Sequence, residues 1–246
     1  MKIFKADLHI HTVLSPCGDL EMSPSNIIRF AKSKQLDIIG ITDHNTTRQC
    51  AVIRELGQAE GIYVLCGAEV TTKEEAHCLA FFETTESLAA FQLYLDAHLP
   101  EIKNNPDLFG YQVAVDADDQ IVFEEERLLI SAIDQSIEKI EQKIHELNGL
   151  FIPAHINKGK NSIISQLGFI PDDLNIDALE LSRHISKEEF ISKNKYLKNQ
   201  VFIKSSDAHI TGLIGETTTG FEMEAVNFKE IKMALHNIDN RRVIIE

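Results

Sequence analysis

Short apolar runs alternate along this chain with longer segments of amphipathic spacing, the pattern of strands alternating with helices. The first run, residues 6–11, interleaves Asp7, His9 and His11 with Ala6, Leu8 and Ile10, so the polar set is expected on one face and the apolar set on the other. Ser23-Pro24 opens a predicted helix to about Lys34, with serine as cap and proline in the first turn. Residues 37–42 suit a buried parallel strand, followed by a helix over about 46–59 and, after Gly61, a strand over 62–69. A strand over 77–82 and a helix over 86–99 come next. Between 100 and about 135 the pattern lapses into turn formers, Val113-Ala114-Val115 and an acidic turn at 116–119. That stretch is expected to be an excursion or lid, because it has too few apolar residues for a core of its own. A helix is predicted from about 125, running with a break into 136–147 and closed by Gly149. The alternation continues with a strand over 150–154, a helix over 162–167, a strand over 178–181, a helix over 187–197, a strand over 201–205, a helix over 228–238 and a last strand over 242–245.

Strands alternating with helices of this length imply parallel βα units. Polar clusters close several of the strands: Thr42-Asp43-His44, Gly67-Ala68-Glu69, Pro153-Ala154-His155 and Ser206-Asp207-Ala208-His209. A barrel gathers such groups at one face, whereas a doubly wound sheet gathers ligands mainly at one switch point. The expectation is therefore one α/β barrel domain over residues 1–246.

Composition narrows the setting. The 246 residues are 43% hydrophobic, enough for one sizeable core or two small ones. No apolar run approaches the ~20 residues that cross a bilayer, and no signal-peptide pattern precedes the first strand, so no membrane and a cytoplasmic location are expected. Cys17, Cys50, Cys66 and Cys78 form no CxxC framework and read as free thiols. Cys66 and Cys78 look like core residues, and Cys17 reads as a buried or loop thiol in preference to a ligand. The net charge of −14, from 24 basic and 38 acidic residues, argues against wrapping an extended duplex. The expected partner is a small phosphorylated substrate or a short nucleotide, since bound cations can reverse the local potential.

Taken singly, the polar residues have ordinary explanations. Asp43 could cap a helix or orient a neighbouring histidine, Glu69 could serve a helix start, and His77 or His155 could satisfy itself at a strand end. Two polar pairs at alternate positions, His9 with His11 and Asp207 with His209, make chance a poor account of the whole set. Together they describe a metal-ion site in which Glu69 can bridge two ions. There is no GxSxG elbow, GxGxxG loop or phosphate-binding P-loop.

These motifs, in this order, resemble the signature of the PHP superfamily, named for polymerase and histidinol-phosphatase members. The resemblance implies a distorted (β/α)7 TIM-like barrel with two or three divalent ions (manganese, iron or zinc). It also implies a phosphoesterase hydrolysing a phosphomonoester or phosphodiester of a small metabolite or nucleotide by a metal-activated hydroxide. By carry-over, His9, His11, Glu69 and Asp207 surround one ion, and Glu69, His77 and His155 a second. His44 and His209 hold a third with an acid from the first loop. The chain lacks the serine-aspartate-glycine loop of many relatives, leaving Asp19 as the preferred acid and Glu21 as reserve. Asp207 or a nearby histidine would relay a proton, Arg183 with Lys158 or Lys160 would face the phosphate, and His184 is a further candidate acid. Two alternatives stand beside this reading: an amidohydrolase-like C–N hydrolase, which would favour a lysine bridge, and a regulatory protein retaining a metal site. Turnover of a phosphate ester by the metal-loaded protein should be abolished by His9→Ala or Asp207→Ala. Full activity in both would reject the phosphoesterase assignment.

Overall fold

Ile38, Ile39 and Ile41 are fully buried although neighbours in a strand point to opposite faces, so this strand must be covered on both sides. The computed structural model, which describes residues 1–245, supplies that cover as a barrel wall with helices outside and a packed interior. Its strands are β1 (Lys2–Ile10), β2 (Ile38–Ile41), β3 (Tyr63–Thr71), β4 (His77–Phe82), β5 (Val113–Val115), β6 (Ile121–Glu124), β7 (Leu150–Pro153), β8 (Leu179–Leu181), β9 (Phe202–Lys204), β10 (Thr219–Met223) and β11 (Arg242–Ile244). The helices are α1 (Pro24–Ser33), α2 (Cys50–Glu60), α3 (Thr85–His98), α4 (Pro106–Phe109), α5 (Ile137–Glu146), α6 (Ile163–Leu167), α7 (Lys187–Lys193) and α8 (Phe228–Leu235).

Seven strands pair in the order β11-β10-β1-β2-β3-β4-β7, and β8 pairs with β9. Backbone hydrogen bonds close the ring. Asp177 N–H donates to Phe151 O (3.1 Å) and Ile156 N–H to Glu180 O (2.9 Å), joining β7 to β8. On the other side, His11 N–H donates to Ala208 O (2.9 Å) and Ala208 N–H to His9 O (3.1 Å). The wall is thus β1, β2, β3, β4, β7, β8 and β9, the distorted TIM-like barrel that the motifs implied. Strands β10 and β11 extend it outside, β10 lying antiparallel along the first half of β1, from Lys2 opposite Met223 to Ala6 opposite Thr219. Helix α8 packs with Phe221 and Met223 against Phe4, Tyr63 and Val201, closing the end of the barrel where the parallel strands begin.

Three expectations are corrected. The wall is not wholly parallel, because β3–β4 and β4–β7 are antiparallel. The turn between β3 and β4, closed by Thr72 N–H on Ala76 O at 2.9 Å, is far too short for a crossover helix. Residues 125–135 are not helical. The Gln112 side chain takes over their backbone groups, donating to Glu125 O (2.8 Å) and Arg127 O (2.7 Å) and accepting from Leu129 N–H (2.8 Å). Finally, Asp7 does not share the histidine face. The pairing of β1 with β2 shifts register between Asp7 and Ile10, and Leu8 packs inside with Leu79, Phe81 and Ile152. Asp7 instead accepts Ser206 N–H (3.0 Å) and Gly215 N–H (2.8 Å), and burial pushes its carboxyl up to about 6 against the pull of those donors.

The excursion is an antiparallel hairpin, β5 with β6, whose Val113 and Val115 pack on Val13 of the first loop. Gln49 clamps it, accepting from Val115 N–H (2.9 Å) and donating to Val115 O (2.7 Å). Among the described residues no helix is long and apolar enough to cross a membrane.

Strands β3 and β4 approach so closely that a Cβ on Gly67 would lie 1.8 Å from Ala80 O. Gly67→Ala should therefore lower unfolding free energy by about 2–3 kcal/mol, read as a reduced urea midpoint with metal absent. An unchanged midpoint would show that the two strands separate freely.

Candidate metal centre

Because β4 runs against β3, its first residue lies beside the end of β3, with His77 opposite Thr71 and Leu79 opposite Glu69. In a wholly parallel barrel His77 would sit at the far end. The second reversal, β4 against β7, returns His155 to the same mouth. There His9 on β1, His11 just after it, His44 after β2, Glu69 on β3, His77, His155 and Asp207 after β9 converge.

Glu69 is the centre. Its Oε1 lies 2.9 Å from His77 Nδ1, 3.1 Å from His155 Nε2 and 3.3 Å from His9 Nε2. Its Oε2 lies 3.1 Å from His44 Nδ1 and 3.4 Å from His11 Nε2. Asp207 Oδ1 faces His9 Nε2 at 3.4 Å and His11 Nε2 at 3.6 Å, while its Oδ2 is ion-paired with Lys158 Nζ. Both His155 (φ 32°) and Asp207 (φ 53°) occupy the left-handed backbone region that L-residues avoid, a local strain at the mouth.

Hydrogen bonds behind the rings decide which nitrogen faces inward. His9 Nδ1 lies 3.0 Å from Glu180 Oε2; a carboxylate only accepts, so Nδ1 carries the proton and Nε2 presents a lone pair. Ser15 donates its hydroxyl proton to Asp43 Oδ1 (2.7 Å) and so accepts from His11 Nδ1–H (3.0 Å), again freeing Nε2. His209 Nδ1–H donates to Asp207 O (2.9 Å), with the same result. Such outer partners fix imidazole orientation and tautomer in metal sites.

The outcome is a crowd of acceptors. His9 Nε2 and His11 Nε2 stand 3.2 Å apart with carboxylate oxygens on either side. Buried His77 Nε2 and His155 Nδ1 have no hydrogen-bond partner, and His44 Nδ1, although near Glu69, lacks hydrogen-bonding geometry. Lone pairs and buried charges packed this way repel unless cations lie among them. The donor set therefore fits divalent ions. Ligand atoms of His9, His11 and Glu69, of His44, Glu69 and His77, and of His11, Cys17, His44 and His209 each lie within 4.8 Å of one another. The surrounding acids demand positive charge at the rings, which a proton or a metal ion can supply. Burial opposes charge on His9, but Glu180, Glu69 and Asp207 outweigh it and hold the imidazole well above its usual range. Burial would likewise raise Glu69, yet His77, His9 and His44 hold it well below the carboxylate range. Burial leads the causes that hold His44 well below the imidazole range and bring His209 down to about 4.

The structure does not bring Asp19 to this cluster. Its Oδ1 accepts Glu21 N–H (2.8 Å) in a local turn that holds the side chain outward, and Glu21 is exposed as well. Cys17 stands where an acid was expected. Asp43 orients the first loop, accepting Thr12 N–H (2.7 Å), Thr12 Oγ1–H (2.8 Å) and the Ser15 hydroxyl. Lys158 and Arg183 flank a cavity of about 90 Å³ beside His155 and Asp207, but Arg183 is exposed and its Nε–H points to His184 Nε2 at 3.3 Å. Lys160 is exposed. Sequence reasoning missed Glu180, a buried acid in the middle of an apolar strand. Its one visible signal was that burial without a partner is costly; the partner, 171 residues away, was not visible.

A curled α/β barrel with imidazoles and carboxylates at one mouth defines a metal-centred barrel. The chain matches the PHP domain over residues 7–156, more than half its length, and belongs to that family, whose members are metal-dependent hydrolases. It is similar to YqxK of Bacillus subtilis, 25% identical over 99% of this chain and 65% of YqxK. Its fold is similar to that of the lesion-specific endonuclease EndoQ from Pyrococcus furiosus, with TM-score 0.76 and 21% identity over 98% of this chain and 58% of that one. Endonuclease Q in complex with a 27-mer duplex bearing an abasic lesion at the active site aligns equally far, with TM-score 0.75 and 21% identity. The chain therefore spans less than two thirds of the length of these relatives. The last comparison corrects the expectation of small substrates without duplex binding, because a protein that shares this fold over 58% of its length is found in complex with a duplex substrate. Net charge averages the whole surface and does not describe the field at one mouth.

Glu180 also accepts His155 N–H at 2.9 Å, through the oxygen nearest His9. Glu180→Ala should weaken divalent-ion binding about 10- to 100-fold in a chelator competition, and Glu180→Gln, which keeps a shared acceptor oxygen, should weaken it less. Equal affinities in all three proteins would remove the orienting role.

Proposed function

We propose that this chain is a metal-dependent phosphodiesterase that cleaves nucleic-acid phosphodiesters at the barrel mouth. The observation that carries this reading is the convergence of five histidines on both oxygens of one buried carboxylate. His9, His11, Glu69 and Asp207 would hold one divalent ion, and Glu69, His77 and His155 a second, with Glu69 shared. When bound, the ions supply Lewis acidity and neutralise charge on the phosphate.

The remaining work falls to the chain. Glu180, Ser15 and Asp43 hold the outer nitrogens of His9 and His11 as donors, so that the inward nitrogens are the ones turned to an ion. Asp207, the carboxylate on the open side, would relay a proton from the attacking water through Oδ2, the oxygen paired with Lys158 rather than with the histidines. Lys158 Nζ holds that oxygen and adds positive charge on the open side of the site. Arg183, exposed at the rim of the adjoining cavity, can swing its guanidinium onto a phosphate oxygen. Glu69, rather than a lysine, occupies the shared position, which disfavours the amidohydrolase alternative. The similarity to Endonuclease Q supports a polynucleotide as the substrate class, and the rim cations supply attraction that the overall charge does not.

The test compares incision of single-stranded DNA, intact duplex and duplex containing an abasic site with hydrolysis of a small phosphate ester. Incision that needs divalent ions, stops with chelator and returns on adding manganese or zinc is expected. Arg183→Ala should raise KM about tenfold with little change in kcat, the effect of losing a charge-assisted contact made before the chemical step. Hydrolysis confined to the small ester would overturn the polynucleotide assignment, and no metal-dependent hydrolysis of any ester would overturn the function.

A further inference from the structure

The loop after β1 is tied to every member of one histidine group. Ser15 Oγ accepts from His11 Nδ1–H (3.0 Å) and from His44 N–H (3.2 Å), and Asp19 N–H donates to His209 O (2.9 Å). Between these ties Gly18 N–H closes a turn on Ser15 O (2.9 Å). The turn is tight enough that a Cβ on Gly18 would fall 2.1 Å from Thr12 O. Cys17 stands inside that turn, and its sulfur lies within 4.8 Å of ligand atoms on His11, His44 and His209. The group needs something between its members. The His11 and His209 rings stack at 4.1 Å, His209 donates through Nδ1 and so leaves its Nε2 lone pair for another partner, and buried His44 makes no hydrogen bond through Nδ1.

We propose that Cys17 is a metal ligand, its thiolate completing a site with His44 and His209, beside His11, that prefers zinc to manganese. One sulfur and two imidazole nitrogens, with water in the fourth position, are a borderline-soft tetrahedral set, suited to zinc or cobalt, whereas manganese favours oxygen donors. Binding would release the thiol proton to solvent and form one metal–sulfur bond, with no change of oxidation state. The loop thereby replaces with sulfur the carboxylate that Asp19 cannot deliver. The assignment rests on the metal reading of the mouth, but its test does not need turnover.

Cobalt(II) titrated into the metal-free full chain reports the two separately. Visible d–d bands show that the mouth binds metal, and a near-ultraviolet sulfur-to-cobalt charge-transfer band shows that a thiolate is a ligand. Cys50, Cys66 and Cys78 are buried and absent from all three ligand groups, so the band is specific to Cys17. In the wild type both signals are expected. Cys17→Ser should lose the charge-transfer band and retain d–d bands from the remaining ions. Cys17→Asp should also lack the band yet recover a full metal count, with its preference moved from zinc toward manganese. Zinc should protect the exposed Cys17 thiol from alkylation in the wild type. A wild-type spectrum with d–d bands and no charge-transfer band would overturn the cysteine assignment and leave the proposed function standing. Absence of both signals would overturn the two together.

Discussion

A buried carboxylate cannot stay ionised in a protein interior without compensating charge, and Glu69, 1% exposed, meets that demand with five imidazoles from four segments of the chain. The demand cannot be met by the rings alone. If all were protonated they would repel one another at ring separations of 4.1 to 5.9 Å. If all were neutral, lone pairs and carboxylate oxygens would face each other. Cations shared among them resolve both problems, and the barrel mouth is shaped around that requirement.

A layer of hydrogen bonds makes the arrangement definite. Glu180 holds His9 and the backbone of His155 with one oxygen, linking β1, β7 and β8. Asp43 and Ser15 hold His11 and the start of the loop that carries Cys17. Both acids are buried, and each has its lone pairs spent on protein donors rather than turned to the centre. The mouth is thus divided between groups that face the site and groups that face those groups. Gly67 and the short β3–β4 turn belong to the same design, since only close pairing of these strands puts His77 against Glu69.

The overall acidity of the chain misled the reading of its partners. A formal charge of −14 is spread over the whole surface, while Lys158 and Arg183 line a cavity beside His155 and Asp207. Coulomb interactions between exposed charges are screened within about 10 Å at ordinary ionic strength, so distant acids weigh little against near cations. Global charge bears on steering and solubility more than on what a recessed, cation-binding mouth can receive.

Residue types and their order carried much of the structure. Apolar runs separated by amphipathic spacing marked nearly every wall strand and most helices, because burial on two faces demands continuous hydrophobicity. Joint occurrence of His9, His11, His44, Glu69, His77, His155, Asp207 and His209 marked the mouth, because so many polar groups at strand ends need a common partner. Local sequence could not decide contacts made across the fold. The reversal of β4, the capture of residues 125–129 by Gln112 and the turn of Asp7 away from the histidines depend on pairing and register. Glu180 beneath His9 and Cys17 beside His209 depend on separations of 171 residues and 192 residues along the chain, the second being 209 minus 17. A sequence states which side chains must find partners, and only the closed barrel determines which partners are within reach.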